Sequence, residues 1–269
     1  MTTINHGDFN PAHYFTQVVV HGITERCNIQ PAPNRGFLTD VIISTGVVTE
    51  PAEGTTPSDS DFSVSTTAIK PKLFVSIGNA SELALDEPGL RQGLEQGLTQ
   101  ALKAALEQEI VDTLLATKVV DSTQTAPASQ YVNYSTNAIT ALEKWVLQGN
   151  RLDRAFMVVH AGMITDLFKD APERFHTSLF NYYGVPMLVT GQQETVDGTV
   201  TQVGLVPDKI GFLADLSQVT LVPYQEPTIT LSGATNPTKP VVTARLAYGI
   251  NVQNPDSLFV FDNNAAPSA

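Results

Sequence analysis

The chain has 269 residues, 42% of them hydrophobic, which suits one large domain or two small ones and supplies a substantial core. A single cysteine, Cys27, excludes an intrachain disulfide and a four-cysteine zinc site. Against 27 Asp and Glu stand only 15 Lys and Arg, a net charge of -12, the wrong sign for a surface made to grip nucleic-acid phosphates.

The N-terminus, MTTINHGDFNPAHYF, has neither a basic start nor an apolar run ahead of a small-residue cleavage site, so no signal peptide is expected. Residues 1–36 mix Asn, Pro, Gly and His around one apolar run, Val18-Val19-Val20, and predict an extended arm with one short strand rather than a packed unit. An arm of roughly thirty residues reaches ~100 Å when extended, far enough to touch another subunit.

Two strand-like runs follow, VIISTGVV (41–48) and FSVSTTAIKPKLFVSI (62–77), separated by TEPAEGTTPSDSD (49–61). The separating segment holds Pro51, Gly54 and Pro57 with Glu50, Glu53, Asp59 and Asp61, which is turn chemistry with an acidic, solvated tip. Together these predict a long two-stranded hairpin. A lone hairpin is marginal in water, so one that projects from a domain needs something to rest on.

The stretch from Asp86 to Thr117 repeats Leu or Ile every fourth residue, at Leu90, Leu94, Leu98, Leu102, Leu106, Ile110 and Leu114, and predicts one long helix opened by Pro88. A spacing of four overshoots a helical turn by about 40°, so the row winds around the helix and its packing partners must change along its length. A coiled-coil seam needs a period of 3.5. One residue before each leucine lies a small side chain, Gly89, Gly93, Gly97, Ala101 and Ala105. Interior glycine costs about 1 kcal/mol of helix stability relative to alanine, so the stripe predicts close packing there or a bend. Arg91, Glu95, Lys103, Glu107 and Glu109 exclude a membrane span.

After the polar stretch 121–133, residues 136–148 predict a second helix with Ile139, Leu142, Trp145 and Val146 on one face and Gly149-Asn150 as its stop. RAFMVVH (154–160) reads as a buried strand and 162–169 as a short helix. From Gly184 the chain is β-rich, and Asp197-Gly198 between Thr195-Val196 and Thr199-Val200 marks a tight hairpin.

The chain carries no nucleophile elbow, phosphate-binding loop, HExxH pair or dinucleotide fingerprint. His160, at a strand end before Ala161 and Gly162, is the one candidate catalytic base; a structural histidine is the simpler reading, since no serine or cysteine nucleophile is identifiable near it. His6, Asp8 and His13 match no defined zinc geometry and read as a solvated polar arm. Cys27 reads as a plain thiol, and no cofactor is expected.

The order of arm, hairpin, long helix, helix, strand, helix and strands resembles the major capsid protein of tailed double-stranded DNA bacteriophages, the Hong Kong ninety-seven type. On that resemblance the fold class is α+β, with 1–36 as N-terminal arm and 37–80 as extended hairpin loop. Residues 81–182 would form the spine helix and peripheral domain, 183–242 the β-rich axial domain, and 243–269 the closing strands and tail. Tyr183-Gly184-Val185-Pro186 is similar to the turn that leads into the axial domain. The runs KIGFLADLSQVTLVPY (209–224) and 243–261 resemble the strands beside that domain and the closing strands.

The resemblance implies a structural protein, not an enzyme, that assembles with itself as pentamers and hexamers into an icosahedral shell around packaged DNA. It would sit in the virion after assembly in the host cytoplasm, with scaffolding, portal and decoration proteins as further partners and no membrane. No separate scaffolding segment precedes the arm, and no cross-linking lysine and asparagine pair is identifiable. The assembly residues it implies are Val18, Val19 and Val20 of the arm, Glu50, Glu53, Asp59 and Asp61 of the hairpin tip, and Gly89, Gly93 and Gly97 of the helix. Two alternatives stand beside it: an encapsulin-like nanocompartment shell, and a soluble α+β enzyme using His160.

Overall fold

The computed structural model describes residues 15, 20–31, 41–48, 62–79, 87–117, 142–164, 181–196, 199–207, 210–232 and 241–262. They fall into two compact units, one drawn from 1–20, 29–103 and 220–253, the other from 21–28, 104–219 and 254–269. The expected long helix is present as α1, Pro88–Thr117, and it contributes residues to both.

In the first unit, β2 (Val41–Val48) and β3 (Phe62–Ile69) form the expected antiparallel hairpin, in register from Val41 opposite Ile69 to Val48 opposite Phe62. The second strand-like run, read as one piece over 62–77, divides at Lys70. Pro71 opens a new strand, β4 (Pro71–Asn79), because it has no N–H to continue a ladder, and β4 pairs instead with β12 (Val241–Val252). With β1 (Asn28–Ile29) and β11 (Val219–Ser232) these make a sheet of order β1-β11-β12-β4, so β4 is an edge strand.

Side chains of β4 alternate as a half-buried strand should. Phe74 is buried, whereas Leu73, Val75 and Ile77 point the other way and are about half exposed or more. Gly78, on the inner side, lies so close to α1 that an added Cβ would sit 3.3 Å from both Leu94 and Leu98. Near the start of β4 a small core joins Ile69, Val222, Tyr224 and Ala247, and the Tyr224 hydroxyl donates to the Ile69 carbonyl. Gly249 completes that core by being small: a Cβ there would fall 2.5 Å from Ile69 Cγ2.

The second unit is built on a five-stranded sheet of order β13-β10-β5-β7-β6, comprising β5 (Phe156–His160), β6 (Asn181–Tyr182), β7 (Val185–Thr190), β10 (Ile210–Ala214) and β13 (Leu258–Asp262). β5 and β7 run parallel and the other pairs antiparallel. Every residue of β5 is buried, as its unbroken apolar run requires of a central strand covered on both faces. β6 and β7 are joined by Tyr183-Gly184, both at positive φ (53° and 81°), which is the two-residue turn whose twist matches a hairpin.

Helical residues 142–147 form α2, which buries Leu142 and Trp145 in the core with Met157, Tyr182, Leu213 and Phe259. Val146, expected on the same face, is 49% exposed, because it lies about 100° round the helix from Trp145. The helix stops where expected: Gly149 takes φ 83°, its N–H donates to the Val146 carbonyl at 2.9 Å, and the Asn150 N–H donates to the Trp145 carbonyl at 3.1 Å. Only a three-residue turn, Ala161–Met163, and residue 164 are described of the short helix expected over 162–169.

β8 (Gln192–Val196) and β9 (Thr199–Val203) pair antiparallel with Val196 opposite Thr199, the register a two-residue Asp-Gly turn demands; Asp197 and Gly198 themselves lie outside the described residues. The run 209–224 supplies β10 to one sheet and β11 to the other, separated by a tight turn whose cap is Asp215, accepting from the Ser217 N–H at 3.0 Å.

Candidate assembly site

Three adjacent stripes run along α1, and their burial separates them. The leucine row is core: Leu98, Leu102, Leu106, Ile110 and Leu114 are buried, and only Leu90 at the N-terminal end is half exposed. The small stripe, Gly89, Gly93, Gly97, Ala101 and Ala105, is exposed throughout. A Cβ added at any of the three glycines would meet nothing within 4 Å, so the close packing expected there is not supplied by the described part of this chain.

The third stripe, one residue after the leucines, is the one the sequence reading passed over. Glu95, Thr99, Lys103 and Glu107 are all buried. Charged side chains leave water only where partners hold them. Lys103 Nζ donates to the Phe15 carbonyl at 3.3 Å and lies 5.4 Å from the centre of the Phe15 ring, an ammonium held by a carbonyl and an aromatic face.

Glu107, with no exposed side-chain surface, takes hold of residues 21–24. Its Oε2 accepts from the His21 N–H and from His21 Nδ1, each at 2.9 Å. Its Oε1 accepts from the Ile23 N–H at 3.1 Å, the Thr24 N–H at 3.4 Å and the Thr24 hydroxyl at 3.3 Å. Burial pushes this carboxyl up, but hydrogen bonds from the His21 side chain and from the backbone of His21 and Thr24, with the charge of His21, outweigh it and hold it below the ordinary 4.5.

The end of the N-terminal arm is therefore packed, against expectation: Ile23 is fully buried and Thr24 nearly so. Among the described residues the arm contributes a strand at Asn28–Ile29, and the Gln30 N–H donates to the Leu221 carbonyl at 2.9 Å; the strand expected around 18–20 falls mostly outside the described residues. Polar clasping, not an apolar anchor alone, fixes a segment whose composition reads as loop. A signal was present in the sequence, since charges at 95, 103 and 107 repeat at helical spacing beside the leucines, but it had served only to reject a membrane span.

Of the other singled-out residues, Val20 is half-buried. Val18, Val19, Glu50, Glu53, Asp59, Asp61, His6, Asp8 and His13 lie outside the described residues. Cys27 is an inert thiol: burial, then the charges of Glu107 and Glu25, push it up to about 12, and its Sγ donates to the Ile23 carbonyl at 3.3 Å. His160 is buried, and its Nδ1 accepts from the Gly162 N–H at 3.1 Å, so it caps the turn that follows β5. Gly191 packs against that ring, where a Cβ would fall 2.8 Å from Nε2.

A cleft of about 510 Å³ is lined by Arg26, Asp153, Arg154, Phe156, Pro186 and Asp215, among others. Its charges largely serve the fold: Arg26 lies 4.3 Å over the Phe156 ring, Asp153 pairs with Arg151, and Asp215 caps a turn. Among the described residues no three His, Cys, Asp or Glu side chains are grouped to hold a metal ion, and no helix is long and apolar enough to cross a membrane.

No family model and no curated protein matches the sequence. Solved structures do match the backbone. The capsid of an empty GTA particle aligns with a TM-score of 0.63 and 12% identity over 90% of this chain and 89% of that one. The capsid structure of cyanophage P-SCSP1u aligns with a TM-score of 0.60 and 11% identity over 88% and 86%. The chain has the phage major capsid protein fold. The holo-SrpI encapsulin complex from Synechococcus elongatus PCC 7942 also aligns, with a TM-score of 0.55 and 13% identity over 92% and 89%.

Proposed function

We propose that this chain is a structural shell subunit, which associates with itself as pentamers and hexamers and closes an icosahedral shell around a phage double-stranded DNA genome. The observation that carries this reading is the near-complete two-way coverage of the match, 90% of this chain and 89% of the chain in the capsid of an empty GTA particle. Three surface features support it. The apolar outer face of the edge strand β4 at Leu73, Val75 and Ile77 is costly to leave in water and favours a partner. The bare stripe at Gly89, Gly93 and Gly97 lets another backbone approach the helix closely or lets the helix bend as a shell rearranges. The arm, with Val18, Val19 and Val20, and the acidic hairpin tip, with Glu50, Glu53, Asp59 and Asp61, clasp neighbouring subunits in this reading. A net charge of -12 suits a wall that encloses DNA without adhering to it. Scaffolding, portal and decoration proteins are the further partners, and the virion, assembled in the host cytoplasm, is the place of action.

A second reading, an encapsulin-like compartment that stores an enzyme, is favoured by the likeness to the encapsulin. Electron microscopy of the purified chain, alone and co-expressed with its neighbouring genes, tests both. Closed shells are expected; shells that fill with DNA beside terminase and portal genes support the phage reading, and shells that load a co-encoded enzyme support the compartment. A monodisperse small species with a ligand-filled cleft would overturn both and favour an enzyme using His160.

A further inference from the structure

We propose that Glu107 is an acid-releasable latch for the N-terminal segment: one carboxylate on the long helix fixes residues 21–24, and its protonation frees them while the five-stranded sheet stays folded. The latch concerns the single chain and stands whether or not the chain builds shells.

Five donors converge on this carboxylate, and all come from one four-residue stretch: the N–H groups of His21, Ile23 and Thr24, the His21 ring and the Thr24 hydroxyl. An ionised carboxylate only accepts, so it can satisfy every one. A protonated carboxyl must place its own hydrogen where a donor already points, so at least one of the five contacts is lost. Glu107 is thus the group on which the backbone conformation of 21–24 depends. The apolar anchor in the stretch is Ile23 alone.

The titratable groups around the carboxylate set the direction of the switch. On the segment these are His21, in direct contact, and the Cys27 thiol, which is raised partly by the charge of Glu107 and also feels Glu25. On the helix, Lys103 lies one turn before it. The carboxyl itself is held below 4.5, so the stability it lends is present above that value and is lost as pH falls through the lower folded-state value.

Hydrogen–deuterium exchange of the full chain, corrected for the intrinsic pH dependence, reads the latch at the amides of 21–24, with those of β5 (156–160) as the internal standard. In the natural protein, protection at 21–24 should be high at neutral pH and fall about tenfold or more below pH 4.5, while β5 keeps its protection. Glu107→Gln, which presents N–H groups to donors, should lose that protection already at pH 7 and show no further acid step. The proposal is overturned if Glu107→Gln keeps 21–24 protected, or if it fails to fold, which would make the carboxylate part of the core. It is also overturned if 21–24 and β5 lose protection together in the natural protein, a measurement that needs no variant.

Discussion

Two stripes of the same helix, two residues apart around its surface, have opposite fates. The side chains best suited to close packing, Gly89, Gly93, Gly97, Ala101 and Ala105, face open space. Those least suited to burial, Glu95, Lys103 and Glu107, are inside. The difference follows from what each stripe meets. Lys103 and Glu107 lie where backbone polar groups meet the helix, the carbonyl of Phe15 and the N–H groups of 21–24, and a charged group satisfies them better than an apolar one. The small stripe meets nothing in the described part of the chain. Burial of one face and exposure of the other thus divide the helix into an inner and an outer side, and the outer one is the side that the proposed shell function assigns to a neighbour.

Substitutions can break this contrast. The largest effect is expected from Glu107→Ala, which strands the buried N–H groups of His21, Ile23 and Thr24; denaturant unfolding should show a loss of about 3 kcal/mol. On the opposite stripe the sign reverses. Replacing Gly89, Gly93 and Gly97 together by Ala should stabilise the dissociated chain by roughly 2–3 kcal/mol, since each added methyl finds room and improves helix propensity. The same triple variant should assemble more slowly, and unchanged assembly and rearrangement would remove the stripe from the account. Lys103→Met keeps the stem but removes the ammonium bound to Phe15, at an expected cost of about 1–2 kcal/mol in the same unfolding experiment. The smallest change should come from Val75→Thr with Ile77→Thr on the exposed face of β4. Stability should hold within about 0.5 kcal/mol while the yield of assembled particles falls.

Local signals in the sequence were sufficient where the structure is local. The four-residue leucine spacing and Pro88 placed α1, Gly149 placed the end of α2, and the spacing around Asp197-Gly198 placed the β8–β9 hairpin, because helix periods, caps and tight turns are decided by neighbouring residues. What depended on distant chain was not legible. The run 62–77 is strand-like on both sides of Pro71, and it is the pairing of 71–79 with β12 that reveals it serves two sheets. Val146 has the composition of a core residue but the wrong angle on its helix. For the candidate site, the glycines were visible as a pattern that predicts close packing or a bend, and the structure shows them exposed. The charges at 95, 103 and 107 were visible as a helical row, but their partners were not, because nothing in the composition of 21–24 announces that its N–H groups will converge on a carboxylate far along the chain.

The division of the helix into an inner and an outer side is tested most directly by cryo-electron microscopy of the assembled particle at side-chain resolution. The account predicts backbone of a neighbouring subunit in van der Waals contact with Gly89, Gly93 and Gly97, and residues 21–24 still seated on Glu107 of their own chain. A glycine stripe open to solvent at every subunit position, or no closed particle at all, would contradict it.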